Sequence, residues 1–461
     1  MEQYWWLYKG FEIRKNEVGQ SKVFFRNYPT DLESIARDNP TPVYVFNGDR
    51  IEEKVTNVRR AFDAHYEGKV AIHFAMKASH IPHVVQLLAR VGCGVDAASP
   101  NEARLGLRLG IPAEKIMFTG TSVLDTEIKD LVDMKVRINI DSFSQLRRLI
   151  ELAKRSELSC SPLPLSVRLN PDVGAITDQN FTTAGARNAE GVPIKFGIEP
   201  KKILEVFEYA HKNGLLVDTL HFHIGSGWLR PGMEAFRQAL RNGLQVYRRL
   251  LEAGFPLTRL DVGGGAGIRV RKEGECFPWD EYATVIASSL KEANIKLELL
   301  ILEPGDGLVS DACVFLTTVN TVEVKYGVEH VFVDSGMGSF PSIRLDHGWK
   351  EFINVSHPDG LVKEYAVDGN VCETGDTFTY NQLRPLPEVR EGDVLAFLDA
   401  GGYNPAQSFN YCLRGRAHIM LRKGNQLLAC TKGVESLDEV ISRFTPIVSC
   451  ANLIRRPFDE R

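Results

Sequence analysis

The chain has no excess of positive charge. Over 461 residues, 55 lysines and arginines face 59 aspartates and glutamates, for a formal net charge of −4, and no long basic run interrupts the sequence. A nucleic-acid backbone calls for a concentrated positive field, so no nucleic-acid partner is expected. Long hydrophobic runs are also missing: nothing approaches the roughly 18 apolar residues of a membrane span, so no membrane partner is expected either. The opening stretch Met1-Glu-Gln-Tyr-Trp-Trp-Leu-Tyr8 is too short in its apolar part, and too poor in basic flank, to predict a signal peptide. Cysteines number eight (Cys93, Cys160, Cys276, Cys313, Cys372, Cys412, Cys430, Cys450), widely scattered and without a Cys-x-x-Cys pair. A long chain with such spacing does not need staples, which predicts reduced thiols and a cytoplasmic location. Close histidine pairs are limited to His221-x-His223 and His80-x-x-His83. Neither comes with the further ligands and spacing of a zinc motif, so no metal is expected. Internal repeats and low-complexity segments are absent as well.

What is present is a rhythm. Residues 11–26 alternate loosely as a hairpin, Asp31 to Arg37 reads as a short helix, and Val43 to Phe46 as a strand. Ile51, Val55, Val58 and Phe62 then fall at helical spacing. Apolar runs alternate from there with amphipathic helical patterns: Val70–Ala78, Gly94–Asp96, Lys115–Phe118, Val136–Ile140, Leu165–Leu169, Thr219–Ile224, Arg259–Val262 and Leu299–Leu302. Eight such alternations over about 250 residues are the count of a (β/α)8 TIM barrel, where a doubly wound sheet usually has fewer strands. Beyond Leu302 the pattern changes to strands separated by turns (Cys313–Val324, His330–Val333, Val394–Leu398, Ala417–Leu421, Gln426–Thr431). The expected fold is therefore α/β, a TIM barrel followed by a second, mainly β domain. Its divisions are 1–45, a segment packing with the β domain, 46–310, the barrel, and 311–461, the β domain. Asp172–Gly191, rich in Gly, Ala, Thr and Asn, reads as a loop.

The run Val70-Ala-Ile-His-Phe-Ala-Met-Lys77 delivers a lysine to the C-terminal end of a buried strand, where partial desolvation would make its amine nucleophilic. A barrel-lip ion pair would use the same residue. In this architecture chemistry sits at the C-terminal strand ends, which here carry Lys77, Asp96, Thr119, Asp141, Arg168, His223 to Ser226, Gly263-Gly264-Gly265 and Glu303. Three glycines after the seventh strand let backbone N–H groups approach a phosphate, and Ser226 could add a hydroxyl. Glu303 is what pyridoxal phosphate asks for at its pyridine nitrogen, since a carboxylate keeps that nitrogen protonated and the ring an electron sink. Taken alone, Glu303 would serve as an ion-pair partner and His223 as a core histidine.

Seven motifs bring these residues together: His73-Phe-Ala-Met-Lys77-Ala-Ser, Gly94-Val-Asp96-Ala-Ala-Ser99, His221-Phe-His223-Ile-Gly-Ser226-Gly, Asp261-Val-Gly-Gly-Gly265, Glu303-Pro-Gly, Asn370-Val-Cys372-Glu373-Thr-Gly-Asp376 and Asp399-Ala-Gly-Gly-Tyr403. In these, and in their order from about Leu32 to Leu421, the chain resembles the fold-type III pyridoxal phosphate decarboxylases, which include diaminopimelate and ornithine decarboxylases. The resemblance implies pyridoxal 5′-phosphate carried on Lys77, with His223 stacked on the ring and Glu303 at the pyridine nitrogen. Ser226, Gly263, Gly264, Gly265 and Tyr403 would hold the phosphate, with Asp96 and Arg168 in the surroundings. It further implies an alanine racemase-like homodimer with shared active sites, in which Cys372 and Glu373 act on the partner's substrate and Cys372 returns a proton to the α-carbon.

The departures from the family pattern concern substrate. Diaminopimelate decarboxylases usually have an arginine at Asp306 and another at Ser342, while ornithine decarboxylases have an aspartate at Ser335; Arg344 lies two residues beyond Ser342 and is a possible substitute. Gly338-Ser-Phe340 and Asp346-His347 are similar to the ornithine branch. The implied activity is α-decarboxylation of an amino acid, a diamino acid or related compound with an unusually held distal end, releasing CO2 and an amine. Ornithine and meso-diaminopimelate are expected to be poor substrates unless Arg344 or Glu373 replaces the lost partners, and diaminopimelate decarboxylase stands as the alternative. A racemase is disfavoured by Glu303, and an inactive pyridoxal phosphate-binding regulatory homologue by the presence of Lys77, Asp96 and Cys372.

Overall fold

A computed structural model describes residues 2–175, 181–346, 349–380 and 382–444. Part of the Asp172–Gly191 loop, and His347, thus lie outside the described residues. The chain opens with an antiparallel hairpin, β1 (Phe11–Lys15) and β2 (Ser21–Phe25), followed by α1 (Leu32–Asp38), where the Asp31 carboxylate accepts from the Ser34 N–H as N-cap. After β3 (Val43–Asn47) comes α2 (Gly48–His65), which buries Ile51, Val55, Val58 and Phe62 as their spacing requires.

Eight strands then form a closed, wholly parallel barrel: β4 (Val70–Ala75), β5 (Gly94–Ala97), β6 (Ile116–Thr119), β7 (Arg137–Ile140), β8 (Leu165–Arg168), β9 (Val217–His221), β10 (Arg259–Asp261) and β11 (Leu299–Leu302). Between them run α3 (Pro82–Arg90), α4 (Pro100–Arg108), α5 (Asp125–Asp133), α6 (Phe143–Lys154), α7 (Ile203–Lys212), α8 (Met233–Glu252) and α9 (Trp279–Glu292). Only one helical turn, Asp306–Val309, follows β11, and α2 fills the outer ring by packing against α9 and α3. The apolar stripe of α8 (Phe236, Leu240, Leu244, Tyr247 and neighbours) is buried in the same core as Leu220, Leu260 and Leu300 of the strands. One strand is shorter than its apolar run suggests. β9 stops at His221, three residues short of the run's end at Ile224, after which Gly225, at φ +137°, turns the chain.

The second sheet comprises β12 (Cys313–Lys325), β13 (Val328–Val333), β14 (Phe352–Asn354), β15 (Val362–Asp368), β16 (Arg384–Pro387), β17 (Val394–Phe397), β18 (His418–Lys423) and β19 (Gln426–Ala429), together with β3. Its main path runs β16-β15-β13-β12-β3-β18-β19, and β17 joins β14 to β12. β3 therefore sits inside a sheet built otherwise from the C-terminal part of the chain, antiparallel to β12 and parallel to β18. Trp6, Phe11, Val23 and Phe25 of the N-terminal segment share a core with Val314, Leu316, Ala396 and Met420. β14, β15 and β16 escape the sequence reading: β14 has three residues, and β16 carries prolines, which a sheet tolerates at its edge. No helix among the described residues is long and apolar enough to cross a membrane.

A buried ion pair ties the N-terminal segment to the rest. The Lys9 ammonium lies 2.6 Å from both carboxylate oxygens of Asp399, and both side chains are fully buried. Removing one partner leaves a buried charge uncompensated. The Lys9→Met variant is accordingly expected to lose about 3–5 kcal/mol of unfolding free energy, read from urea denaturation; an unchanged midpoint would contradict this role.

Candidate active site

The barrel interior departs from the usual apolar layers of this architecture. Alternate residues of a barrel strand point inward, and here many of them are polar and buried: Asp96 on β5, Asn139 on β7, Ser166 and Arg168 on β8, Thr219 and His221 on β9, Asp261 on β10. Hydrogen bonds across the interior, two of which skip a strand, confirm the direction. Asn139 Nδ2 lies 3.0 Å from His221 Nδ1 and 3.3 Å from Thr119 Oγ1, and His221 Nε2 lies 3.1 Å from Glu303 Oε2. These bonds link β6, β7, β9 and the end of β11 through the barrel's interior.

Lys77 stands at the mouth of this interior, in a single turn, Met76–Ala78, that continues β4. The partial desolvation expected of it is corrected by the structure. Met76 and Ala78 are buried, whereas the turn carries Lys77 out of the apolar register and leaves its side chain exposed. Its charge nevertheless acts on Asp96, Glu303 and His223, so the four groups share one space. Burial and the adjacent Glu303 push the Asp96 carboxyl up to about 8. Burial, then Glu303, also raises Asp261 well above the carboxylate range. For Glu303 burial acts upward too, but His221, which faces it, and then the charge of Lys77 outweigh it and hold this carboxyl low. Of three carboxyls in one buried space, Glu303 is the one that stays ionised. Its Oε1 is buried without a partner.

His223 is buried, and desolvation together with the positive charges of Lys77 and Arg168 keeps it neutral. Its Nδ1 accepts from the Gly264 N–H at 3.1 Å, which fixes the ring against the triple glycine. That loop admits no side chain. A Cβ on Gly264 would lie 1.9 Å from the Glu303 carbonyl oxygen, and one on Gly265, at φ +100°, 2.0 Å from the Gly225 carbonyl oxygen. Ser226 is brought beside the loop by the bridge between Trp228 and Ala266 and by the bond from Trp228 N–H to Gly265 O. Tyr403 joins from the β domain, its N–H donating to the Ala78 carbonyl at 2.8 Å. Arg168 is buried, 3.6 Å from Asp141 and with its guanidinium over the Phe196 ring.

Other expected residues lie elsewhere. Asp306 bonds to the Ser310 hydroxyl and underlies Gly402, with burial raising its pKa and Lys350 opposing the rise. Ser335 and Ser342 are buried in the β domain, their hydroxyls without partners. Cys372 and Glu373 are exposed on a β-domain loop. Exposed Arg344 flanks Gly375 opposite Glu373: a Cβ built there would meet Arg344 Nε at 3.0 Å and Glu373 Oε1 at 3.3 Å. Sequence reasoning missed Asn139 and Asp261, and weighed His221 only as half of a metal pair. His221, Asp261 and Glu303 do bring ligand-type atoms within 4.8 Å of one another. His221, however, turns one nitrogen to Asn139 and the other to Glu303, leaving neither for a cation.

Comparison with known proteins agrees with this geometry. Residues 48–310 match the family model described as pyridoxal-dependent decarboxylase, pyridoxal binding domain. The diaminopimelate decarboxylase of Methanothermobacter thermautotrophicus is 35% identical over 401 residues, 86% of this chain and 90% of that protein. That of Aquifex aeolicus is 30% identical over 397 residues, again 86% and 90%. Among solved structures, the diaminopimelate decarboxylase from Helicobacter pylori complexed with L-lysine superposes with a TM-score of 0.80 at 27% identity, covering 89% of this chain and 98% of that one. The chain belongs to the pyridoxal-dependent decarboxylase family of fold type III. It is an amino-acid decarboxylase whose cofactor is pyridoxal 5′-phosphate. The residues present fit that cofactor: an ionised carboxylate with one free buried oxygen, a neutral imidazole, a cradle closed to side chains and an accessible amine.

Burial makes the barrel acid-sensitive. His73, on the lysine strand, is buried with Nδ1 unpartnered, and desolvation lowers its pKa to about 4. Between the unfolded value, about 6.5, and the folded one, the unfolded chain binds the extra proton, so this contribution to stability is full above pH ~6.5 and falls as pH drops toward 4. In paired urea titrations His73→Gln should lose less stability than the parent across that window, by up to about 3 kcal/mol. Parallel curves would show that His73 does not carry this dependence.

Proposed function

We propose that this enzyme decarboxylates an amino acid whose distal end carries both an ammonium and a carboxylate, diaminopimelate being the type. The observation that carries the reading is the pairing of Arg344 with Glu373 across Gly375, next to Cys372. A guanidinium favours a carboxylate and a carboxylate favours an ammonium, so the two together suit a zwitterionic end. Ornithine offers only half of that match. The position of Asp306, bonded to Ser310 beneath Gly402, adds support, because a residue so engaged is a loop support rather than a lost substrate contact. That the H. pylori relative holds L-lysine, which carries an ammonium at its distal end, fits the Glu373 half.

In this reading Lys77 would hold the cofactor, with His223 and Glu303 beside its ring. Gly263, Gly264, Gly265, Ser226 and Tyr403 receive the phosphate, with Asp96 and Arg168 alongside. The cofactor supplies the electron sink for the pair left when CO2 departs. Glu303, kept ionised, would favour a proton on the ring nitrogen, and Cys372 would be the group that supplies a proton to the α-carbon. The proposed divisions are 1–45, 46–310 and 311–461. A cytoplasmic location agrees with the free state of the seven described cysteines.

A homodimer with shared sites completes the reading. Cys372, Glu373 and Arg344 are exposed, and beside them the loop tied to Gly338 and Asn370 by Phe409 N–H and the Arg414 guanidinium presents Phe409, Tyr411 and Leu413 to solvent, with Leu345 close by in sequence. Exposed apolar side chains on a loop tied beside an exposed thiol suit a surface covered by a second copy.

Mixing inactive Lys77→Ala with inactive Cys372→Ala protein is expected to restore about a quarter of parental activity, since half of randomly exchanged dimers are mixed and each has one intact site. Proven exchange without recovery would put both residues in one subunit. The substrate assay compares kcat/KM for meso-diaminopimelate and ornithine. Arg344→Gln should reduce it about ten- to a hundredfold for meso-diaminopimelate, the cost of one charge-assisted bond, and leave ornithine nearly unchanged. Equal losses on both, or no loss on either, would remove Arg344 from distal recognition.

A further inference from the structure

We propose that His221 is a positioning residue for Glu303, oriented by Asn139, and that this buried chain keeps the carboxylate turned toward the cofactor's ring nitrogen. The inference rests on the reading that Glu303 faces that nitrogen.

The geometry has three links. His221 is wholly buried, with Nδ1 3.0 Å from Asn139 Nδ2 and Nε2 3.1 Å from Glu303 Oε2. Full burial disfavours an imidazolium, so the ring carries one N–H. Asn139 decides which nitrogen holds it. Its amide group donates to Nδ1 and, at 3.3 Å, to the Thr119 hydroxyl, so Nδ1 accepts and the proton resides on Nε2, facing the carboxylate. The opposite tautomer would set a lone pair against an ionised oxygen. Glu303 is thereby held through Oε2, while Oε1 is left buried and without a partner. A neutral donor is the useful choice here. It stabilises the carboxylate without adding a positive charge that would compete with a protonated ring.

Asp261 supplies a second constraint. It accepts from the Gly263 N–H at 2.8 Å through Oδ1, and its carboxyl lies within hydrogen-bond reach of Glu303. Two carboxyls so close do not both ionise. Without the His221 bond Glu303 would keep only the charge of Lys77 in its favour, and Asp261 would compete for the ionised state. The histidine therefore favours the charge on Glu303 and sets which way that carboxylate points. Nothing in this scheme requires His221 to touch substrate or cofactor.

The test uses holoenzyme loaded with pyridoxal 5′-phosphate labelled with 15N in the ring, whose nitrogen shift reports protonation independently of turnover. Glu303→Gln is the reference and should move the shift to the unprotonated range. His221→Leu, which cannot donate, is expected to move it at least half as far and to lower kcat about 10- to 100-fold, as loss of a supporting partner does, with KM changed less than about threefold. His221→Gln retains an N–H and should keep most of the parental shift. Should His221→Leu fail to fold or to retain cofactor, Asn139→Leu decides: releasing the tautomer should move the shift part of the way, and an unchanged shift overturns the proposal. A parental shift in His221→Leu beside a moved shift in Glu303→Gln overturns it as well. If Glu303→Gln itself leaves the shift alone, the placing of Glu303 is wrong and the proposal falls with it.

Discussion

One buried negative charge organises this molecule. Glu303 is ionised where two other carboxyls, Asp96 and Asp261, are pushed toward their neutral forms by burial and by Glu303 itself. An ion in such a place is expensive unless it is paired and hydrogen-bonded. His221 and the charge of Lys77 compensate it, and each of these has needs of its own. His221 requires Asn139 behind it, and Asn139 reaches Thr119. The polar interior thus grows outward from one carboxylate, and it displaces the apolar layers that usually fill such a barrel. Cohesion passes to the outer faces of the strands, where Val95, Ile116, Ile138, Val167, Leu220 and Leu260 join the helices in a single core.

The mouth of the barrel is built by backbone as much as by side chains. Gly264 and Gly265 run so close to the Glu303 and Gly225 carbonyls that the tops of three adjacent strands are packed main chain against main chain. The same glycine loop anchors His223. Tyr403 arrives from the far part of the sequence, through a backbone bond to the residue after Lys77, and the loop that carries it begins at Asp399, the buried partner of Lys9. The first ten residues, the lysine turn and the β domain are therefore mechanically connected, although none is adjacent in sequence.

Much of this was legible beforehand, for identifiable reasons. The barrel declares itself because apolar runs bounded by polar residues alternate with amphipathic helices, and Lys77, the triple glycine and Glu303 stand out because they end strands. Lys77 misled only in its exposure, since a run of apolar neighbours does not reveal that the chain turns at Met76. The interior network stayed hidden because a barrel core is expected to be apolar. Its signal was nonetheless present at period two: Arg137 and Asn139 on one strand with Asp141 just beyond it, Thr219 and His221 on another with His223 beyond it, Arg259 and Asp261 on a third. Alternating polar residues in strands covered by helices can only face inward. β14 and β16 were unreadable for the opposite reason, being too short or too proline-rich to carry a pattern.

The positions that depart from the family pattern acquire their meaning from where they sit. Ser335 and Ser342 are interior to the β domain, and Asp306 is locked beneath Gly402, so none of the three presents a charge to solvent beside Cys372. Arg344 and Glu373 do. The loops that surround them are joined by Asp376, which accepts from the Met337 N–H at 2.5 Å and the Val371 N–H at 2.7 Å and so holds the Ser335–Met337 stretch against the Cys372 loop. On the proposed reading, such a surface could change which distal group it receives by exchanging exposed residues, while Asp376 keeps the Cys372 loop in place. The barrel, whose polar interior tolerates almost no exchange, need not change at all. On the proposed reading, reaction type and substrate choice are carried by two different parts of the chain, and only the first depends on the buried charge.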